Sequence, residues 1–485
     1  MQQIEIKIQS ENGNHAQSKF TPFGGAVLVG EVFRKLGIDK AIDKYIGARP
    51  PSVGLTYTDS SYIKSLVLMQ ILGGGTVDDL ANIREDSVIG EMIGKIPGRT
   101  SFHNYLASFV DEEEERRRGQ GKSTLLVPNE HLRGFDMVTR HILSSVPAFL
   151  DIESVTIDQD ATFIPTKVSG ALYSYKKEKA FQALNSYCPE YDMMIHSEFR
   201  DGNVTPGYRQ LDHLKETLSL LPPSVRKVRL RSDSAGYQTE LLKYCANGSN
   251  ERFGVIEFCI SCPVSAEFIN AVHSTRAKEW RKISIDSDHE CAVIPFAPMK
   301  LSSSKNGPEY RFIAIREPLC GIEDPEAAQG YLFPSDGDSN ISSLHPTCID
   351  GKVYKIFGVV TNDITTGPEE IVRWHRGRCG KSEEIHRILK NDLGGGHVVT
   401  SALGANAAWW QMTVLAANTL SLIKLFLPKS LHRCRPKALR YALFSAVARL
   451  SRHARRIAVV IFHSSAACVI REALSRLSTL EVKLE

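Results

Sequence analysis

The sequence predicts an α/β fold in which a central region of strands and helices is flanked by two mainly helical regions. Three observations support this prediction. Residues 1–150 carry apolar residues at three- and four-residue steps, which is typical of amphipathic helices. From Ser154 the chain changes to short alternating or apolar runs separated by helical segments, an order typical of α/β domains. Helical spacing returns at Pro368 and continues to the end of the chain.

In the N-terminal region, residues 26–36 and 62–72 are predicted to be helices, and the run Gly73-Gly74-Gly75 ends the second. The charged run over 111–121 is predicted to be a solvated helix end or loop. In the central region, the predicted strands are 155–160, 192–199, 225–230 and 255–260, and the predicted helices are 209–221 and 238–245.

These changes of pattern divide the chain into five segments. Their predicted limits are 1–150 (mainly helical), 151–261 (first part of the α/β domain), 262–366 (a β-rich insertion), 367–425 (helices that complete the domain) and 426–485 (a basic helical tail). The insertion is predicted from strand-like runs at 291–296, 310–315 and 353–360, which are separated by clusters of Pro, Gly, Ser and Asp.

Composition excludes several classes of protein. With 42% hydrophobic and 24% charged residues, the chain has the balance of a folded globular protein. Ten scattered cysteines do not make a disulfide framework and indicate a reducing compartment, so we expect a cytoplasmic protein. The first residues lack the basic and apolar segments of a signal peptide. The most apolar stretch, 407–427, is interrupted by polar residues and predicts a buried helix, not a membrane span.

Positive charge is concentrated at the C-terminal end of the chain. Residues 424–485 hold 13 Lys and Arg against 3 Glu and no Asp, a net charge of +10, whereas the whole chain carries only +4. Such an asymmetry is typical of a surface that lies along a phosphate backbone. The alternative is that these side chains only solvate helix faces.

Aspartates at two predicted strands are candidates for a shared site. Asp158 and Asp160 alternate along one strand, so both lie on the same side of it. Asp233 follows the strand 225–230 and precedes a helix. This position is the carboxyl edge of an α/β sheet, where ligands usually bind.

A glutamate pair near a predicted helix start completes the acidic set. Glu383 and Glu384 lie on a helix that is predicted to begin near Ser382. Glu383 and Lys390 are about two turns apart and therefore share a helix face. We expect three nearby basic residues to contact DNA phosphate: Lys390, Arg378 and Arg376.

Carboxylates in this number point to metal chemistry. Mg²⁺ prefers oxygen ligands and is typically held by one or two carboxylates together with water and phosphate. Two such ions about 4 Å apart activate a water or a 3′-hydroxyl and stabilise the leaving oxygen of an in-line displacement. Two strand-end carboxylates and one on a packed helix could converge on such a pair of ions.

Seven segments carry a resemblance to a known family. They are Asp160-Ala-Thr162, Arg200-Asp-Gly-Asn203-Val-Thr-Pro-Gly207, Leu220-Leu-Pro222, Arg231-Ser-Asp233-Ser, Arg376-Gly-Arg-Cys-Gly-Lys-Ser-Glu-Glu-Ile-His386, Lys390-Asn-Asp392-Leu-Gly-Gly and Asn406-Ala-Ala-Trp-Trp410. They resemble the DDE transposases of bacterial insertion sequences. The nearest resemblance is to the insertion-sequence thirteen-eighty family, a relative of the larger insertion-sequence-four group.

The resemblance implies a ribonuclease-H-like catalytic domain, with the β-rich insertion between the second aspartate and the glutamate. It implies cleavage and strand transfer at the ends of a mobile element with two Mg²⁺ or Mn²⁺ ions. Carried over by residue, Asp160, Asp233 and Glu383 match the three catalytic, metal-binding carboxylates. Lys390 matches the lysine seven residues after the glutamate.

The chain departs from the family pattern just before the glutamate. The larger group has Tyr, two residues, Arg, three residues and then Glu. Counted back from Glu383, the arginine position holds Cys379, Arg378 is one residue away, and there is no tyrosine. Glu384 therefore remains an alternative to Glu383, and Asp158 remains an alternative to Asp160.

We therefore expect a transposase that binds the terminal inverted repeats of its element and target DNA. It is expected to act as a homodimer on paired ends, and no membrane partner is expected. The N-terminal region is expected to serve DNA binding or assembly, and the protein to associate with the nucleoid when bound to DNA. Two other functions remain open. One is a ribonuclease-H-like nuclease without strand transfer, and the other is a catalytically inactive, transposase-derived DNA-binding protein.

Overall fold

The computed structural model of the protein describes residues 4–7, 20–49, 56–119, 129–285, 288–301, 308–319, 346–453, 456–462 and 464–481. The helices are α1 Ala26–Lys35, α2 Ile38–Tyr45, α3 Asp59–Leu72, α4 Leu80–Arg84, α5 Ser87–Ile93, α6 Arg99–Ala107, α7 Glu112–Gly119, α8 Glu130–Ser145, α9 Pro147–Leu150, α10 Gln210–Leu220, α11 Thr239–Ala246, α12 Ala266–Ser274, α13 Pro368–Arg376, α14 Lys381–Arg387, α15 Leu403–Phe426, α16 Lys429–His432, α17 Pro436–Leu439 and α18 Ser464–Ser478.

The strands are β1 Ile4–Lys7, β2 Phe20–Thr21, β3 Ser154–Pro165, β4 Ala180–Cys188, β5 Met193–Asp201, β6 Lys227–Ser232, β7 Glu257–Cys262, β8 Arg281–Lys282, β9 Glu290–Ile294, β10 Arg311–Pro318, β11 Pro346–Ile349, β12 Lys352–Thr361, β13 Ala448–His453 and β14 Arg456–Ile461. Short 3₁₀ turns cover Val77–Asp79, Ser234–Gly236 and Ala277–Glu279, and π-helical turns cover Ile388–Asp392 and Arg440–Phe444.

A ten-stranded mixed sheet forms the centre of the molecule, in the order β5-β4-β3-β6-β7-β12-β10-β9-β8, with β11 beside β12. Strands β5, β4 and β3 are antiparallel, whereas β3, β6 and β7 are parallel. Helices α10 and α11 lie in the connections between the parallel strands and their neighbours, as an α/β fold requires. The mixed α/β class predicted from the sequence is confirmed.

The predicted β-rich insertion continues the same sheet. β12 pairs with β7 in antiparallel fashion, and β10, β9 and β8 follow outward from it. The three strand-like runs predicted there correspond to β9, β10 and β12. Part of the predicted insertion, residues 302–307 and 320–345, lies outside the described residues.

The C-terminal tail is not wholly helical, so this part of the prediction is wrong. β13 and β14 form a hairpin, and β1 and β2 from the start of the chain pair with its two outer edges. The run Ile457-Ala-Val-Val-Ile461 is rich in β-branched residues, which favour a pleated, half-buried surface over a helix. The tail is therefore joined to the N-terminal region by a second, four-stranded sheet.

Helix α15 lies at the centre of the hydrophobic core. It packs against both α3 of the N-terminal region and β5 of the large sheet. Almost all of its residues are buried, as predicted for this apolar stretch, and Trp409 and Trp410 are among the largest fully buried side chains. Within the described ranges, no helix combines the length and the apolar character that a membrane span needs.

Candidate active site

Asp160 and Asp233 lie at the point where two parallel strands separate. The parallel pairing of β3 with β6 ends at Gln159 and Ser232. Asp160 is the next residue of β3, which continues to Pro165, and Asp233 is the first residue after β6. Asp233 caps the following 3₁₀ turn, because its Oδ1 accepts a hydrogen bond from the Ala235 amide at 3.0 Å. Each aspartate thus follows the last paired residue of its strand, and their role in one catalytic site stays a prediction.

The electrostatics of Asp160 show that the two carboxylates are close enough to repel each other. Burial raises the pKa of Asp160 to about 7, and the charges of Asp233 and Asp158 add to the shift, while Arg378 opposes it. A raised pKa at a pair of facing carboxylates is typical of a site that needs positive charge.

Arg378 is the cation that faces Asp160. Its Nη1 donates a hydrogen bond to Asp160 Oδ2 at 3.0 Å, and both side chains are largely buried. Arg378 comes from the short connection between α13 and α14, which turns at Gly380 with a φ of +82°. Arg378 is also one of the residues predicted to contact DNA phosphate, and that contact stays a prediction.

Asp158 lies two residues before Asp160 and has a different environment. Arg231 holds both of its oxygens, with Nε at 2.6 Å from Oδ1 and Nη2 at 2.7 Å from Oδ2. The same guanidinium donates through Nη1 to the Trp374 carbonyl at 2.6 Å. Asp158 is fully buried in this ion pair, which favours a structural role and leaves Asp160 as the carboxylate that faces the site edge.

Helix α14 lies over the strand that carries Asp160. Ser382 and His386 are its buried side chains. His386 Nε2 accepts a hydrogen bond from Asn185 Nδ2 at 3.1 Å, and Asn185 is the residue of β4 that pairs with Asp160. The helix is therefore anchored above Asp160 at both ends, through Arg378 on one side and His386 on the other.

The two glutamates of α14 differ in direction. At about 100° per residue, Glu383 lies about 80° from the middle of the face formed by Ser382 and His386, whereas Glu384 lies on the opposite side of the helix. Both glutamates are exposed. In the described part of the chain, the ligand atoms of Asp160, Asp233 and Glu383 do not all lie within 4.8 Å of one another. Glu383 therefore lies at the edge of the helix face that packs on the sheet, and a shared site with the two aspartates stays a prediction.

Lys390 lies beyond the end of α14, in the π-helical turn Ile388–Asp392. Its Nζ donates to the Phe163 carbonyl of β3 at 3.2 Å. Because the wider turn interrupts the α-helical spacing, the seven residues between Glu383 and Lys390 no longer fix a shared face. Burial and the charge of Lys176 lower the pKa of Lys390, so positive charge is crowded at this end of β3.

A cleft of about 600 Å³ opens beside the aspartate pair. Ser234, which follows Asp233, contributes to it, together with Arg376 and Arg378. Residues of β7, β10 and β12 also line it; most of them are apolar or small, and Glu317 of β10 is acidic. The predicted DNA-contacting arginines therefore line one cavity next to the carboxylates.

A family model described as transposase DDE domain group 1 matches residues 5–287, which is more than half of the chain. The chain belongs to this family of DDE transposases. The matched span includes Asp160 and Asp233, and it ends before the glutamate helix. The predicted resemblance to DDE transposases is thus confirmed at the level of the family.

Among solved structures, the chain is similar to one described as the cryo-EM structure of the piggyBac transposase synaptic complex with hairpin DNA. The TM-score is 0.46 at 10% sequence identity, over 96% of this chain and 88% of that chain. No curated protein matches the sequence.

The connection between β3 and β4 adds side chains that the sequence reasoning missed in this transposase. Tyr173 and Tyr175 are 65% and 54% exposed. The Tyr175 ring packs on the edge of Phe163 at 5.2 Å, and its pKa is raised by burial and by the charge of Asp233. The sequence signal for this surface is a pair of tyrosines, at 173 and 175, followed by three lysines over 176–179.

Proposed function

We propose that the protein is a transposase that cleaves phosphodiester bonds at the ends of its mobile element and joins them to target DNA with Mg²⁺ or Mn²⁺. The observation that carries the proposal is the pair Asp160 and Asp233, which follow the last paired residues of the neighbouring strands β3 and β6. Family membership indicates only the class of enzyme, whereas this pair supports a specific location for metal-dependent cleavage.

The residues at this edge fit divalent cations. Burial, and to a smaller extent the charge of Asp233, raises the pKa of Asp160, and a cation bound between the two aspartates would stabilise their ionised forms. Carboxylate oxygens are the ligands that Mg²⁺ and Mn²⁺ prefer. Two bound ions would supply an activated water or 3′-hydroxyl and stabilise the leaving oxygen.

The third ligand is proposed to be Glu383. Its position on the flank of the buried face of α14 allows it to turn toward the aspartates, whereas Glu384 points away from the sheet. Asp158 is not proposed as a ligand, because Arg231 already holds both of its oxygens. Arg378 is proposed to orient Asp160 through their hydrogen bond.

DNA is proposed to lie across the carboxyl edge of the sheet. Arg376 lines the cleft beside Asp233, and Lys390 lies at the end of β3 close to Lys176. Tyr175 offers an exposed ring for stacking on an unpaired base, because aromatic faces bind bases of any sequence. The order β5-β4-β3-β6-β7, antiparallel and then parallel, supports a ribonuclease-H-like domain around this edge.

The test is cleavage of a duplex that carries the inverted repeats flanking the reading frame. Asp160→Asn and Asp233→Asn are expected to abolish nicking while end binding stays close to that of the wild-type protein. Full nicking by either variant would contradict the proposal for that residue. A second assay with pre-nicked ends distinguishes the functions that remain open, since a nuclease without strand transfer yields no joined product and an inactive DNA-binding protein yields neither.

A further inference from the structure

A second cluster of ligand-type side chains lies away from the aspartate pair. His196 and Glu198 are on β5, and His213 is on α10. All three are buried, and one ligand atom from each lies within 4.8 Å of the others. Among the described residues, this is the one group of three or more potential metal ligands that meets that distance.

We propose that His196, Glu198 and His213 form a zinc site that fastens α10 and α8 to strand β5. Imidazole and carboxylate are typical zinc ligands, in sites with three protein ligands and one further position. The proposal is independent of the function assigned to the aspartate pair.

His213 provides the first reason for a ligand here. The side chain is fully buried, yet neither ring nitrogen has a hydrogen-bond partner. Its Nδ1 lies 3.8 Å from Glu198 Oε2, which is too long for a hydrogen bond. A buried polar group without a partner is costly unless something binds it.

His196 is held in the orientation that a metal-binding imidazole needs. Its Nδ1 lies 2.9 Å from Asp136 Oδ1 of α8, which fixes the ring and leaves Nε2 directed toward the cluster. Such a carboxylate behind a histidine is the usual partner of a zinc-bound imidazole. Glu216 lies 3.0 Å from Nε2 and is half exposed, so it can serve as the fourth ligand or give way to water.

The charge of the cluster also favours a divalent cation. Three carboxylates, those of Asp136, Glu198 and Glu216, face a single guanidinium, that of Arg200. The three carboxylates and the guanidinium together carry two negative charges. Against the effect of burial, Asp136 and Glu216 raise the pKa of His196 to about 10, so a divalent ion at Nε2 would take the place of the proton on that ring. Arg200 donates to both oxygens of Glu198, but at 3.1 and 3.2 Å, longer than the 2.6 and 2.7 Å at which Arg231 holds Asp158. Since an ionised carboxylate accepts about four hydrogen bonds, Glu198 keeps lone pairs for a metal ion.

The cluster lies on the face of the sheet opposite the acidic site. Asp160 pairs with Asn185, which in turn pairs with Ser197 of β5, so these three side chains share one face. His196 and Glu198 flank Ser197 and therefore point to the other face. A metal at the cluster would be structural and would not contact the DNA-cleaving carboxylates.

The experiment uses the full chain with Asp160→Asn and Asp233→Asn, so that the acidic site contributes little metal binding. After dialysis against a chelator, Zn²⁺ or Co²⁺ is added, and bound metal is measured by elemental analysis and by the visible absorption of Co²⁺. We expect one tightly bound equivalent and a higher melting temperature with metal. Adding His196→Asn or His213→Asn should weaken binding at least tenfold.

The matched control is His131→Asn. His131 is also partly buried, but its Nδ1 is paired with the Ile46 carbonyl at 2.7 Å. The His131→Asn substitution should leave metal binding unchanged.

The proposal would be overturned if the parent protein, with Asp160→Asn and Asp233→Asn, bound no stoichiometric metal. Equal metal binding by the His196 and His213 variants would also overturn it. If those variants do not fold, the measurements on the parent protein are sufficient. A Co²⁺ spectrum that shows no nitrogen ligands, or a melting temperature that metal does not change, would then overturn the proposal.

Discussion

The guanidinium of Arg378 donates a hydrogen bond to Asp160 across 3.0 Å, although 218 residues separate them in the chain. This contact joins the connection before helix α14 to strand β3 and therefore places the glutamates of that helix above the aspartate pair. It also supplies the one cation that offsets the repulsion between Asp160 and Asp233. The geometry of the proposed active site depends on this bond.

Asp160→Asn should stabilise the metal-free protein at high pH. The pKa of Asp160 is raised from 3.8 to about 7, so the folded state is penalised for its charge. The penalty is absent below about pH 4, grows up to about pH 7 and is constant above it. We expect the variant to gain on the order of 2 kcal/mol at pH 8 and nothing at pH 4, measured by urea unfolding with a chelator present.

Asparagine keeps an acceptor oxygen for Arg378, so this comparison isolates the charge. Added Mg²⁺ or Mn²⁺ should then stabilise the wild-type protein and not the variant. A stability difference that does not change with pH would contradict the account of this carboxylate.

Asp158→Asn should have the opposite effect on stability. Burial raises the pKa of Asp158 too, but Arg231 opposes this shift and donates to both of its oxygens, whereas Arg378 donates to one oxygen of Asp160. Asparagine keeps only one acceptor oxygen and leaves the buried charge of Arg231 uncompensated, which typically costs roughly 3–5 kcal/mol. The expected result is a clear fall in the free energy of unfolding at pH 7. Folded Asp158→Asn protein should still nick DNA. A stable but inactive Asp158→Asn variant would instead identify Asp158 as the catalytic aspartate.

Glu383→Gln and Glu384→Gln form a matched pair on one helix. Because Glu383 flanks the buried face and Glu384 opposes it, we expect Glu383→Gln to lower the nicking rate by about 10³-fold or more and Glu384→Gln to change it little. Single-turnover nicking of element-end DNA gives both rates. The reverse order of effects would assign the third carboxylate to Glu384.

Tyr175→Ala should weaken binding to element ends with an unpaired terminus. A stacked base contributes about 1–3 kcal/mol, so the expected loss of affinity is about 5- to 150-fold. Tyr175→Phe keeps the ring and should bind like the wild-type protein. Equal affinities for all three proteins, measured by fluorescence anisotropy at a fixed salt concentration, would remove Tyr175 from the DNA surface.

Much of the sheet could be predicted from the sequence because its strands alternate or form short apolar runs. Strand β4 could not be, since all nine of its residues are buried, including Gln182, Asn185 and Ser186. Polar residues in a buried strand find partners only in the folded protein, so they leave no alternation in the sequence. Strands β13 and β14 of the tail were not predicted, because the basic residues around them are also typical of solvated helix faces.

The positions of the two aspartates were only partly predictable from the sequence. A strand followed by an aspartate indicates a position at the sheet edge, and Asp233 lies directly after β6, whereas Asp160 lies inside β3, where its pairing with β6 ends. The pairing of Arg378 with Asp160 is a tertiary contact that no local pattern predicts. The π-helical turn at Lys390 likewise breaks the regular spacing from which its position was inferred.

The most direct test locates the metal itself. Crystals of the protein with element-end DNA and Mn²⁺ should show anomalous peaks within about 2.2 Å of carboxylate oxygens of Asp160 and Asp233, with Glu383 turned toward them. The same crystals of Asp233→Asn should lose the peak shared by the two aspartates. Mn²⁺ bound elsewhere on the protein, with the aspartate pair free of metal beside bound DNA, would contradict the central claim.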